Sequence, residues 1–301
     1  MGAVSGNTPD AQARARVRHR LAWSPAHSVS AFKASEAALL TFFRRLTAPL
    51  RDRISVLEQL EATMQTERIS YQVDGIDAIG YLAVPDGTDP CAGVLLCHEG
   101  PGQDANVRLR AERVATELGH VAFALDYIGG GTPLDTMEET MARLGPLRDD
   151  PIATRSIGQA GLDILAGQSR VDTDRLASIG FCFGGTMSLE LARSGADVKA
   201  VVGFHSGLGT GRPDDAANIT GKVLVCIGAD DPMIPPDQRE AFENEMRSGN
   251  VDWRMTLHGG AVHSFTNPDA GKRAMAGVAY NADADRRSWA AMVDLFAETI
   301  A

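Results

Sequence analysis

Cys182 lies in Gly180-Phe-Cys-Phe-Gly184, between an apolar stretch, Leu176–Phe181, and a stretch that reads as a helix, Phe183–Glu190. This Gly-x-Cys-x-Gly run has the pattern of a nucleophile elbow, with cysteine where serine is usual. In such an elbow a strand reverses sharply into a helix, and the residues two before and two after the nucleophile must carry no side chain. The thiol is then pushed out at the carboxyl end of the strand. A free thiol ionises at about pH 8.5, and its thiolate attacks carbonyl carbon without a fully engaged base.

The elbow requires an acid and a histidine downstream, in the chain order nucleophile, acid, base. Asp231 lies in Lys222-Val-Leu-Val-Cys-Ile-Gly-Ala-Asp-Asp-Pro-Met-Ile-Pro235, and His263 in Gly259-Gly-Ala-Val-His-Ser-Phe265. Each falls just past a segment that reads as a strand, where the loops of an open α/β sheet gather at one edge. His263 would pair with the thiolate and protonate the leaving alkoxide, while Asp231 fixes its tautomer. Asp230 is the rival acid, its other role being a helix or turn cap. The helix that starts at Phe183 would aim its N-terminal dipole and free N–H groups at the sulfur. Phe183 N–H is one expected oxyanion donor and Gly100 N–H the other.

These residues need a scaffold, and the rest of the chain reads as alternating strands and helices. A mostly parallel central sheet with helices on both faces is the expected α/β architecture. An antiparallel hairpin comes first, Arg68–Val73 and Ala78–Val84, around the turn signal Asp74-Gly75. Strands are expected at 93–97, 121–125, 199–204, 223–227 and 252–257, and the elbow strand lies among them. Helices are expected at 107–118, 137–144, 153–166, 185–193, 236–248 and 284–300. The span from Asp126 to Asp150, with three consecutive glycines at 129–131, is the longest irregular insertion on the expected catalytic edge and a candidate for gating substrate.

Gly-Phe-Cys-Phe-Gly-Gly, the acid loop Gly228-Ala-Asp-Asp-Pro-Met-Ile-Pro235, Ala-Val-His-Ser-Phe, and the strand Gly93-Val-Leu-Leu-Cys-His-Glu-Gly100 together resemble the dienelactone hydrolase family of α/β-hydrolases. The resemblance runs from about Met64 to the C-terminus. It implies Asp231 rather than Asp230 as the acid. It also implies that Glu99 faces the thiol, keeps it neutral until substrate arrives, and then takes its proton. Two arginines that the resemblance implies for binding a substrate carboxylate are missing. One position is Asn267, four residues after His263, and the other region reads Tyr127-Ile-Gly-Gly-Gly-Thr132. The loss of charge-assisted bonds to a carboxylate favours a small neutral ester or lactone. Tyr127, His205, Ser206 and Phe265 are expected in the pocket wall.

Length and composition suit one globular enzyme: 301 residues, 44% apolar and 23% charged. The net charge of −10 argues against nucleic acid as a partner. Apolar runs are strand-sized, far below the roughly 20 residues of a membrane-spanning helix. Four cysteines without framework spacing point to a reducing, cytoplasmic setting. No metal-ligand spacing or nucleotide-binding glycine motif is present, so neither metal nor organic cofactor is expected. Residues 1–56 carry nine Lys or Arg against three acids, and the remainder carries −16. Residues 1–63 are therefore read as an extension, poorly ordered or not a natural part of the protein, with a transit peptide as the other possibility. Residues 64–301 form the expected hydrolase domain.

The expected activity is hydrolysis of a carboxylic ester or lactone through a thioester at Cys182. The alternatives are acyl transfer to another acceptor, a redox-responsive protein in which Cys182 is oxidised, and a binding protein that retains only the fold.

Overall fold

In the computed structural model, residues 64–301 are described; the expectation for 1–63 lies outside them. Asp74 and Gly75, both at positive φ (47° and 73°), form a two-residue turn between β1 (Met64–Val73) and β2 (Ile76–Pro85). A turn with two left-handed residues matches the natural twist of paired strands, which is why Asp-Gly works here. The pairing runs without a break from Met64↔Pro85 to Val73↔Ile76, so the hairpin is longer and its loop shorter than the sequence suggests.

Six further strands follow: β3 (Cys91–Cys97), β4 (Val121–Leu125), β5 (Val171–Phe181), β6 (Ala200–Phe204), β7 (Lys222–Gly228) and β8 (Trp253–His258). The sheet order is β1-β2-β4-β3-β5-β6-β7-β8. β2 runs antiparallel to β1 and β4, and β4 through β8 pair in parallel, as the expected fold class requires. The strand order reverses at β3, which lies between β4 and β5. Ligands of open α/β sheets bind at the carboxyl ends of strands beside such a reversal.

Among the described residues, six α-helices pack around the sheet: α1 (Ala105–Leu118), α2 (Met137–Asp149), α3 (Pro151–Ala166), α4 (Phe183–Arg193), α5 (Pro236–Ser248) and α6 (Ala282–Thr299). The period-two alternation of the strands divides the core in two. Val94 and Leu96 of β3 share one cluster with α1 and α6 residues such as Val114 and Phe296. Leu95 and Cys97 share the other with Ile157 of α3, Met187 of α4 and Phe242 of α5. Each large apolar side chain fully buried in these clusters contributes about 1.5–3 kcal/mol. Among the described residues, no helix is long and apolar enough to cross a membrane.

Helix α2 departs most from expectation, for it runs through Gly145-Pro146, a pair that reads as a stop. A capping box starts it: the Thr136 hydroxyl accepts from Glu139 N–H, and the Glu139 carboxylate accepts from Thr136 N–H. Such a reciprocal cap, with Glu138 and Glu139 in the first turn and Arg148 in the last, offsets the donor missing at Pro146. Asp150 then caps α3, accepting from Ile152 and Ala153 N–H ahead of Pro151 at the first position.

Candidate active site

Cys182 occupies φ 55°, ψ −122°, a strained conformation for a residue with a side chain. The flanking glycines account for the tightness of the turn. A Cβ on Gly180 would collide with the Gly184 carbonyl, and one on Gly184 with the carbonyls of Cys97 and His98. Gly185 is needed as well, because Ser206 Oγ occupies the space its side chain would fill. The Cys182 N–H donates to Phe204 O (3.0 Å) and His205 Nδ1 (3.2 Å), pinning the elbow to the end of β6.

His263 Nδ1 is 2.8 Å from Asp231 Oδ2, and both residues are 4% exposed. Asp231 Oδ1 accepts from Met233 N–H (2.8 Å), which fixes the carboxylate. Asp230 is engaged otherwise, its Oδ2 accepting from Gly260 N–H (3.1 Å). His263 Nε2 is buried and has no hydrogen-bond partner among the described residues, yet Cys182 and His263 are close enough to set each other's ionisation. Burial raises the thiol pKa and Glu99 raises it further. The His263 charge, with help from Gly100 N–H, outweighs both and holds the thiol below its ordinary value. Burial opposes protonation of His263, but the Cys182 charge and the Asp231 bond push its pKa up to about 10. Both shifts run in the direction that favours a thiolate–imidazolium pair.

Phe183 N–H opens α4, and neither it nor Gly100 N–H donates to a protein oxygen among the described residues. The Gly100 loop is held by neighbours: the Tyr127 hydroxyl donates to His98 O (2.7 Å), and the His98 ring stacks on Tyr127 at 3.8 Å.

Glu99 is buried beside the thiol, but its carboxylate is turned elsewhere. Its Oε2 accepts from Arg273 Nη1 (2.7 Å) and Ser264 Oγ (3.2 Å), while Oε1 has no partner and lies 4.0 Å from His205 Nε2. No bond from Glu99 to the sulfur is present, in contrast to the thiol-restraining contact that the resemblance implies. Arg273, on a short 3₁₀ turn (Ala270–Arg273), carries no motif that would have singled it out.

A cavity of about 490 Å³ opens over Cys182 and His263. Met137, Met141 and Leu144 of α2 line it, together with Met233, Ile234 and Met275. Arg148 and Arg273 also line it, although neither position at which the family resemblance implies an arginine supplies one. Asn267 is buried, and its Nδ2 donates to Asp104 Oδ2 (3.1 Å).

Tyr127, His205, Ser206 and Phe265 do not line this cavity; all four are buried behind it. His205 exchanges contacts with the elbow N–H and Thr266 Oγ1 (2.8 Å). Burial, followed by the charges of His263 and Arg110, holds its pKa well below the ordinary 6.5, so it stays neutral. His205 and Ser206 were expected in the wall because their strand ends next to the elbow; the turn after β6 (Ala200–Phe204) instead buries both.

The glycine run is also not the pocket-lining part of its insertion. Asp126 gathers the run, its Oδ1 accepting from Ile128 and Gly129 N–H and its Oδ2 from Gly131 and Ile79 N–H. Gly131 packs so closely on β2 that a Cβ would meet the Ile79 backbone oxygen at 2.8 Å. The cavity wall comes instead from α2. Among the described residues, no group of three or more His, Cys, Asp or Glu side chains is placed to hold a metal ion.

Comparison with known proteins agrees with the fold. The model of the dienelactone hydrolase family matches residues 78–300. A solved structure described as m3DLH superposes with a TM-score of 0.76 at 43% identity, covering 80% of this chain and all of that one. A dienelactone hydrolase-like promiscuous phosphotriesterase, P91, from metagenomic libraries superposes with the same TM-score at 37% identity and the same coverage. A putative carboxymethylenebutenolidase of Synechocystis is 27% identical over 248 residues, 77% of this chain and 96% of that protein. With a family match over residues 78–300, on an eight-stranded, mostly parallel sheet, the chain belongs to the dienelactone hydrolase family and is an ester or lactone hydrolase of the α/β-hydrolase fold.

Proposed function

We propose that the protein hydrolyses a carboxylic ester or lactone through a thioester at Cys182. The observation that carries this reading is the convergence on one cavity of a strained elbow cysteine and a histidine bonded at 2.8 Å to a buried aspartate. The Cys182 thiolate attacks the carbonyl carbon, and the resulting oxyanion takes hydrogen bonds from Phe183 and Gly100 N–H. His263 Nε2–H gives its proton to the leaving alkoxide as the tetrahedral intermediate collapses to the thioester. Neutral His263 then takes a proton from water, whose oxygen attacks the thioester carbon and releases the acid, restoring the thiolate–imidazolium pair. Asp231 keeps Nδ1–H oriented through both steps.

Glu99 and Arg273 set the charge beside the sulfur: the carboxylate opposes the thiolate, and the guanidinium bonded to it weakens that opposition. The apolar, methionine-faced chamber suits an uncharged group at the reacting end of the substrate. Release of nitrophenol from a short 4-nitrophenyl ester tests the reading. The wild type should turn over repeatedly and Cys182→Ala should not; equal turnover by both would contradict it.

The likeness to P91 favours one second substrate class for the same thiolate, uncharged phosphotriesters. Nitrophenol release from a dialkyl nitrophenyl phosphate, lost in Cys182→Ala, would support that class; release that persists in the variant would count against it.

A further inference from the structure

Beside the chamber over Cys182 lies a second cavity of about 240 Å³. Arg148, Phe183, Thr186, Gly207 and Gln238 line both, so the two adjoin along a shared wall. Methionines line the chamber, whereas in the annex polar groups, Thr154, Thr186 and Thr210 among them, are mixed with Leu147, Pro151 and Phe183. Its one acid, Glu190, is already neutralised: it accepts from Arg155 (2.8 Å) and Arg193 (3.0 Å). Arg155 also binds Asp215, and Arg193 binds Glu245, with Arg212 on Asp215 closing a network of three cations and three anions.

Arg148 stands outside that network. It is exposed, and among the described residues it makes neither an ion pair nor a hydrogen bond. Gln238 lines both cavities; its Oε1 accepts from Leu208 N–H (2.8 Å), and its amide N–H groups have no protein acceptor among the described residues. The annex therefore offers one uncompensated guanidinium and an amide donor over a floor of zero net charge.

We propose that this annex is a subsite for an anionic group, a carboxylate, at the remote end of the ester or lactone, with Arg148 as the specificity-determining residue. The proposal rests on the function proposed above and refines the expectation of a neutral substrate: uncharged at the thiol, anionic about one chamber away. A planar guanidinium grips carboxylate through paired N–H bonds. Because Arg148 is exposed, water competes for it, and its effect should be about tenfold rather than the larger factor of a buried pair.

The test uses the full chain and two substrate pairs. In one pair the distal acid is on the acyl part: a 4-nitrophenyl monoester of a long dicarboxylic acid against its methyl-capped form. In the other it is on the alcohol part: an ω-carboxyalkyl acetate against its methyl-capped form. The expected result is that Arg148→Gln lowers the ratio of kcat/KM for acid over capped substrate about tenfold in at least one pair, and Arg148→Glu lowers it further. Added salt should shrink the wild-type preference. Ratios equal in wild type and Arg148→Gln for both pairs would overturn the subsite. If no ester is turned over, the thioester reading fails, and binding decides the subsite separately. Calorimetric titration of Cys182→Ala with a dicarboxylic acid monomethyl ester should give a Kd about tenfold tighter than titration of Cys182→Ala/Arg148→Gln; equal affinities would overturn the subsite.

Discussion

Replacing Cys182 by alanine should lower the pH at which His263 loses its proton. With the thiol present, His263 holds that proton to about pH 10, although burial works against it more than any other single influence. A rise from the ordinary 6.5 to about 10 amounts to a net preference for the imidazolium of about 5 kcal/mol, at roughly 1.4 kcal/mol per pH unit. The largest favourable contribution is the charge of Cys182, ahead of the Asp231 bond. In Cys182→Ala burial faces Asp231 alone, and the midpoint should drop by about two pH units or more. The coupling is reciprocal. In His263→Ala, burial and Glu99 act on the thiol without the opposing cation, so its pKa should rise above that of a free thiol. Ring-proton NMR of His263 against pH reads the first effect; the pH dependence of iodoacetamide alkylation at Cys182 reads the second. In the wild type, alkylation should slow as pH falls through the depressed thiol pKa. Hydrolysis should also fail as pH rises through about 10, where His263 loses the proton destined for the leaving group. A His263 midpoint that is the same with and without the Cys182 thiol would refute the ion pair.

Two further outcomes follow from the geometry. Arg273→Gln leaves the Glu99 carboxylate unneutralised beside the sulfur, so alkylation of Cys182 at neutral pH should slow severalfold, and Glu99→Gln added to it should restore the rate; an unchanged rate in the single variant would remove Arg273 from the account. Gly184→Ala should cost about 4 kcal/mol or more, since its Cβ meets two backbone carbonyls that cannot step aside, and lower Tm by roughly 10 °C or prevent folding. Gly145→Ala in α2, where a Cβ meets nothing, serves as the contrast and should leave Tm level or slightly raised.

The residues legible in the sequence are those whose local chain forces their position. Cys182 could be read because only an elbow explains glycines at 180 and 184, and the collisions around those positions give the physical reason. Asp231 and His263 could be read because each follows a segment that reads as a strand, apolar before Asp231 and alternating before His263, and parallel strands deliver their following loops to one edge. The parallel sheet was legible for the same reason.

What the sequence concealed depends on contacts between distant segments. Arg273 reaches Glu99 across 174 positions from a four-residue turn with no periodicity. The glycines at 129–131 read as mobility, but the Asp126 carboxylate accepts from Gly129 and Gly131 N–H, and from Ile79 N–H of β2, and so holds the run against that strand. Helix α2 ran past the Gly145-Pro146 stop and so carried Arg148 to the shared wall of two cavities. His205 and Ser206 follow a strand that ends beside the elbow, yet both are fully buried and neither lines the cavity.

The most direct test of the thioester is the intact mass of the full chain, quenched in acid after brief exposure to a neutral activated acetate ester. The expected result is one acetyl adduct on the wild type, localised to Cys182 by peptide mapping, absent from Cys182→Ala, and accompanied by many turnovers of released alcohol. Turnover without an adduct in the wild type, or an equal adduct and turnover in Cys182→Ala, would contradict a covalent route through this thiol.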